Sequence, residues 1–581
     1  MIKGFSHYWT KKQIKTHLSV VKGKTPPTLV IKDVTYLNSM RRQWVTANIW
    51  IYEDRIVYIG SDMPESADSV MDAEGKFAVP GYIEHHAHPF QLYNPMTLAA
   101  FSAVRGTTTM VGDNLPFFLH LQKDKAFALL DKMQETPMTM LWSARYDSQT
   151  ELQQENEVFS YANIRSWLDH PYVVQGGELT DWSKVLNGSD DQLLHSMTET
   201  KDLRKPIEGH LPGAGKKTLT QMALLGVDGD HEAMTGEDVM ARLDSGITAS
   251  LRSSSIRDDL PDLLDELHEL GLNNYDSLMM TTDGSPPHFT KHGMMERLIQ
   301  TATDHGVPFI DAVHMVTKNV ARHFFMDDVL GIIAPGRIAS INFLSSKDDP
   351  RPVDVLAKGR WVRRDDEPCF PEIDINWSDF GLGPLELDWD LGEKDLHFSM
   401  PLGMEMENDV IMKPYQILKD PTGDRLPEDC DEHFMVLIDR EGRWNVSTLV
   451  KGFAGNIYGF ASSFSSAGDI LLIGKDKEGI RKAFQRLKEK KGGILLLDED
   501  GTETAVDLPI AGMFSALGME EGLIDQEAAF REAMQARGYA FGDPVYTLLF
   551  FSATHLPYVR ITQKGIIDVK KKRVLFPALM R

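Results

Sequence analysis

The chain has 581 residues, 42% hydrophobic and 25% charged, so it holds enough apolar material for a large core without disulfide staples. At roughly 100–200 residues per domain it is long enough for several domains, and its formal net charge of −24 works against phosphate backbones and anionic lipid, which excludes nucleic acid and membrane surfaces as expected partners. Only Cys369 and Cys430 occur, without metal-ligand or disulfide spacing, and no signal peptide or long apolar run is read, so the expected location is cytoplasmic.

Residues 1–27 are basic and end in Pro26-Pro27. They suit a short helical arm, either a solvated helix or a contact in a homo-oligomer. Residues 28–79 alternate in the strand manner, with runs at Leu29–Ile31, Ala47–Ile51 and Arg55–Ile59, and predict a small β unit. From Phe77 to about Leu344, short apolar strands alternate with helical patterns, the signature of βα repeats. The predicted strands are Phe77–Ile83, Thr107–Val111, Met138–Trp142, Tyr172–Gly176, Pro206–Gly209, Gly226–Gly229, Ile247–Leu251 and Leu278–Thr282. Eight such units over about 250 residues have the size of a (β/α)8 TIM-type barrel, placed at residues 80–330. Strand-like runs return at Gly331–Gly336 and Ala339–Leu344 and are expected to pair with the first unit, giving a small β-sandwich from residues 28–79 and 331–364. Residues 365–385, rich in Pro, Asp and Glu, read as a linker, and residues 386–581 as an additional α+β domain. Met279-Met280 and the run Leu548–Phe551 read as core.

In such barrels the chemistry sits at the C-terminal ends of the strands. The first predicted strand ends in Glu84-His85-His86-Ala87-His88. Side chains repeat every two residues along a strand, so His86 and His88 share a face and can reach one metal ion. Glu178 follows the fourth strand, where a carboxylate could bridge two cations or start a helix. His210 and His231 follow the fifth and sixth, and Asp283 follows the eighth. Singly, each has a structural explanation; together they make the mixed nitrogen and carboxylate set that a pair of divalent cations requires. With no sulfur among them, the set suits Mn, Fe or Zn. A water held by two such cations ionises near neutral pH, and Asp283 could take up its proton and pass it to a leaving group.

The stretch Val79–His88 resembles the first-strand motif of the amidohydrolase superfamily, and further matches point to its adenine deaminase family. Gly106-Thr107-Thr108-Thr109, Glu208-Gly209-His210-Leu211-Pro212-Gly213, Asp230-His231-Glu232 and Thr282-Asp283 resemble successive barrel motifs of that family. Asp507–Met513 and Arg560-Ile561-Thr562 with Gly565–Val569 resemble the motifs of its C-terminal domain. The resemblance implies hydrolysis of adenine to hypoxanthine and ammonia with two divalent metal ions, commonly manganese or iron. The implied ligands are His86, His88, Glu178, His210, His231 and Asp283. Glu232 would donate a proton to a ring nitrogen or hydrogen-bond a neighbouring group.

Four family motifs are altered. Asp113-Asn114-Leu115-Pro116 stands for D-P-H-E, Arg252-Ser253-Ser254-Ser255 for R-E-G-S, Asp283-Gly284 for the end of T-D-D, and Ala461–Ala467 for A-H-D-S-H-N. Arg252 and Ser253 remain as candidate substrate contacts. The metal set is kept while polar groups that would read the base are replaced. Adenine is therefore weighed against another aminopurine or cyclic amide as substrate, and against a non-catalytic metal-binding scaffold.

Overall fold

In the computed structural model, which describes residues 9–188 and 190–581, the chain opens with a helix, Lys11–Val21. Thr10 and Gln13 close a capping box at its start, and Val20 packs with Val30 and Trp50. Strands β1 (Leu29–Asn38), β2 (Gln43–Tyr52), β3 (Arg55–Gly60), β4 (Val70–Asp72) and β5 (Phe77–Pro80) follow.

The barrel comprises β6 (Tyr82–Ala87), β7 (Thr107–Gly112), β8 (Thr139–Ala144), β9 (Val173–Leu179), β10 (Ile207–Gly209), β11 (Gly229–Asp230), β12 (Thr248–Arg252) and β13 (Leu278–Thr281). These eight are parallel and hydrogen-bonded in chain order. Most are buried on both faces, as parallel strands covered by helices must be. Ile83, Val111, Leu141, Val174 and Met279, from five strands, form one apolar cluster with Val320, Phe324 and Leu330. The seam between β13 and β6 is closed by a side chain. The buried Glu84 carboxylate accepts from the hydroxyls of Thr281 and Thr282 and from the amides of Thr282 and His86.

Two predicted strands are redrawn. The run Phe77–Ile83 divides at Gly81, with Phe77–Pro80 in the flanking sheet and Tyr82 opening the barrel. Proline cannot donate to a ladder, and a Cβ on Gly81 would fall 2.1 Å from Thr108 Oγ1, so the chain turns through the one residue without a side chain. Of Gly226–Gly229 only Gly229 joins the sheet, because Gly226, at φ +93°, still belongs to the turn after helix Lys216–Leu224.

After the barrel come β14 (Ile341–Leu344), β15 (Pro352–Ala357), β16 (Arg360–Arg364) and β17 (Glu367–Pro368). β14 pairs antiparallel with β5, in the register Ile341↔Pro80, so strands from both sides of the barrel join one nine-stranded sheet. Its core includes Ile31, Ile49, Ile51, Ile341 and Phe343. The stretch 365–385 is docked along the surface, with Ile375, Leu382 and Leu385 buried. Beyond it lies a second nine-stranded sheet, packed against helix Lys477–Lys490, and a three-stranded ribbon starting at Val559–Thr562. Among the described residues, no helix is long and apolar enough to cross a membrane.

Candidate metal centre

The strand ends bring all six predicted ligands together. His86 with His231 and Asp283, His86 with His88 and Glu178, and Glu178 with His210 and His231 form three overlapping groups, each with its donor atoms within 4.8 Å of one another. Glu178 stands between two of them. Its Oε1 lies 2.5 Å from His210 Nδ1 and 3.5 Å from His231 Nε2, and its Oε2 lies 4.0 Å from His88 Nε2. Asp283 Oδ1 lies 3.0 Å from His88 Nε2 and 3.6 Å from His86 Nε2. His86 Nε2 is buried and makes no hydrogen bond, and His210 Nδ1 is buried against the Glu178 carboxylate. Buried polar atoms are ordinarily paired. Buried imidazole nitrogens facing carboxylates, one of them unpaired and with no sulfur in the set, fit divalent cations.

Four of the six candidate ligands, His88, His231, Glu178 and Asp283, are oriented from behind. His88 Nδ1 is 3.0 Å from Asp113 Oδ2, and His231 Nδ1 is 3.0 Å from Glu208 Oε1, contacts that fix ring orientation and tautomer. Glu178 Oε2 accepts from Arg145 Nη1 at 2.7 Å and from Gln149 Nε2 at 3.0 Å. Arg252 Nη1 joins two carboxylates, donating to Asp283 Oδ2 at 2.9 Å and to Glu232 Oε1 at 2.6 Å, while Arg257 Nη2 reaches Glu232 Oε2 at 3.1 Å. Arg145 and Arg257 were not singled out from the sequence, and Asp113 and Glu208 entered it only as members of motifs, because their role lies in partners distant along the chain.

Electrostatics follows from these contacts. Burial opposes charge on Glu178, but His210, then His231 and Arg145, hold its carboxyl well below the usual range. Against the same opposition from burial, Arg252, His210 and Arg257 bring Glu232 down to about 2. Burial, with His231 alongside, pushes His86 well below the ordinary histidine value, which favours the neutral imidazole a metal needs.

The altered motifs also acquire physical reasons. A Cβ on Gly284 would lie 2.5 Å from the Cβ of His88, so no side chain fits after Asp283. Ser253 donates to Asp258 and does not line the cavity beside the cluster, whereas Arg252 does. In the stretch 461–467, Ser463 Oγ donates to Gly512 O and Ser466 Oγ to Leu549 O.

That cavity has a volume of 530 Å³. His88, Glu178, His210, His231, Glu232 and Asp283 line one side of it. The rest of the wall draws on the C-terminal part of the chain and includes Phe464, Phe514, Tyr546, Phe550 and His555. Of the run read as core, Leu548 and Phe551 are core, and Phe550, buried with Tyr546 and Ala553, and Leu549, packed against that cluster, also line the cavity. A four-residue apolar run carries no periodicity that could separate the two pairs, and His555 is a lone histidine without a local pattern.

Comparison with known proteins agrees with this architecture. Residues 77–362 match the Amidohydrolase family, and residues 418–573 match the Adenine deaminase C-terminal domain. A protein of Halalkalibacterium halodurans, provisionally named an adenine deaminase, is 54% identical over 576 residues, covering 99% of each chain. A Bacillus subtilis protein with the same provisional name is 48% identical over 577 residues and 99% of each chain. The adenine deaminase of Kosmotoga olearia is 25% identical over 580 residues, covering 95% of this chain and 96% of its own. With both matched segments present in order and this identity running end to end, the chain belongs to the adenine deaminase family of the amidohydrolases, hydrolases that act on C–N bonds other than peptide bonds.

Proposed function

We propose that the protein deaminates adenine, taking up water and releasing hypoxanthine and ammonia, with two divalent cations held by His86, His88, Glu178, His210, His231 and Asp283. The observation that carries this reading is the convergence of those six side chains in overlapping groups that share His86, Glu178 and His231. Manganese is the proposed metal, with iron and zinc compatible with the same nitrogen and oxygen donors. When bound, such cations supply a nucleophile from water at neutral pH and stabilise developing negative charge.

The chain's own residues perform the remaining work. Glu178 presents one oxygen to His210 and His231 and the other toward His88, a placement suited to a shared carboxylate. Asp283 has Oδ2 held by Arg252, leaving Oδ1 to take up a proton and return it to the departing amino group. Of the two roles open to Glu232, hydrogen bonding is favoured over proton donation, because Arg252 occupies Oε1 and Arg257 occupies Oε2. The apolar wall excludes water from the reacting base.

The cavity is roomy for a free base and its wall includes Phe464, Phe514 and Phe550, which favours carrying a second reading, hydrolysis of another aminopurine or of a cyclic amide. One experiment addresses both. Protein stripped by a chelator and reloaded with manganese is expected to hold about two ions per chain and to release ammonia from adenine, and the stripped protein to release none. Turnover of another aminopurine or a cyclic amide but not adenine would replace the first reading by the second. Retained metal with no turnover of any of them would leave only a metal-binding scaffold.

A further inference from the structure

His555 lies on the loop between helix Pro544–Phe550 and strand Val559–Thr562. Its ring stands 5.0 Å from that of His210, edge-on at 78°. It lines the cavity, yet it belongs to none of the three candidate metal groups. Its Nδ1 is buried without a hydrogen-bond partner.

The loop is fixed with unusual firmness. The guanidinium of Arg560, fully buried, donates from Nε to Ala553 O at 3.0 Å, from Nη1 to Val559 O at 2.9 Å and from Nη2 to Val410 O at 2.8 Å. Its partners are carbonyls, and burial pushes its pKa down to about 9. Burying a cation against carbonyls alone is unfavourable. What the arrangement achieves is geometric, since a rigid planar fork ties three points of backbone at once. On the other side, Thr554 N donates to Gln149 O at 2.8 Å, and the Gln149 side chain donates to Glu178. The loop is thus registered against the same carboxylate that joins the metal groups.

Several other polar groups on this wall are already committed. Ser465 Oγ donates to Asp469 O, Ser466 Oγ to Leu549 O, and Asn408 Oδ1 accepts from the amides of Val410 and Ile411. A base seated beside the candidate ligands would share the cavity with the aromatic side chains of this wall and with the imidazole of His555 next to His210.

We propose that His555 is a specificity-determining residue that hydrogen-bonds a ring nitrogen of the heterocyclic substrate, and that Arg560 is a positioning residue that holds its loop in place. This rests on the adenine reading. A neutral imidazole donates from one nitrogen and accepts at the other, so it complements a ring nitrogen in either protonation state.

The test uses the full chain reloaded with manganese, in wild-type, His555→Leu and His555→Asn forms. Binding of hypoxanthine is measured by calorimetry, alongside adenine kinetics and metal content. In His555→Leu, hypoxanthine is expected to bind about tenfold more weakly or worse and the KM for adenine to rise in parallel, with a smaller change in kcat and unchanged metal content. His555→Asn is expected to recover part of the loss. The deaza analogue of adenine that lacks the contacted nitrogen should bind the wild type more weakly but lose nothing further in His555→Leu. Unchanged hypoxanthine affinity in His555→Leu overturns the proposal and leaves the adenine reading standing. Loss of metal from that variant also overturns it, making His555 a ligand instead. If the wild type binds neither hypoxanthine nor adenine, both readings fall together.

Discussion

Asp283→Asn is expected to lower kcat for adenine by about a thousandfold, with a much smaller change in KM. The replacement keeps the shape of the side chain and removes its negative charge, and with it both its capacity to take up a proton and a charged oxygen from the candidate metal set. Asp283 sits at φ +53°, a left-handed conformation that asparagine adopts nearly as readily as aspartate, so the backbone after β13 is retained. The turn is also held by Asp283 N donating to Thr281 Oγ1 at 2.9 Å, a bond the substitution does not touch. An amide can still accept from Arg252 through its oxygen, which would then turn its NH2 toward His86 and His88, where no proton can be accepted. Steady-state kinetics on the metal-loaded variant, with metal content measured on the same sample, separates loss of proton transfer from loss of an ion. A variant within about tenfold of the wild-type kcat would remove Asp283 from the mechanism.

The clustering of the six candidate ligands was legible in the sequence for a geometric reason. Parallel strands are short apolar runs, and their C-terminal ends share one face of the barrel, so polar residues just past each run converge even when far apart in the chain. His86 and His88 are readable from their spacing at the end of the first barrel strand, whereas Glu178 and Asp283 acquire meaning only once the strands are ordered. The break at Gly81 was not readable, because nothing local distinguishes a strand that continues from one that changes sheets. The decisive contact is with Thr108, on the neighbouring barrel strand. The cavity wall was the least legible part. Leu549 and Phe550 differ from Leu548 and Phe551 only in which surface they meet, and that is set by the packing of the C-terminal part onto the barrel mouth. His555 becomes noticeable only beside His210, more than three hundred residues earlier in the chain.

The convergence of the strand ends depends on a buried ion pair, and Arg242→Met is expected to destabilise the protein by about 3–5 kcal/mol. Arg242, on helix Gly236–Asp244, places Nε 2.5 Å from Asp230 Oδ2, with side-chain exposures of 1% and 0%. Its Nη2 donates to Leu211 O at 2.9 Å, and Asp230 accepts from the amides of Leu211 at 2.7 Å and Glu232 at 3.1 Å. These bonds join the residues adjoining His210 and His231, so the pair sets the spacing of two candidate ligands. Methionine fills much of the arginine volume but leaves the Asp230 carboxylate buried with only backbone amides beside it. The penalty is thus chiefly that of an uncompensated charge, not of lost packing. Two readouts follow. Urea unfolding of Arg242→Met should shift to lower denaturant with manganese bound less tightly, and adding Asp230→Leu should restore much of the stability, since replacing both members of a buried pair by apolar groups is far less costly than removing one. A single variant within about 1 kcal/mol of wild type, or a double variant less stable than the single, would show that the pair does not hold the ends of β10 and β11 in register.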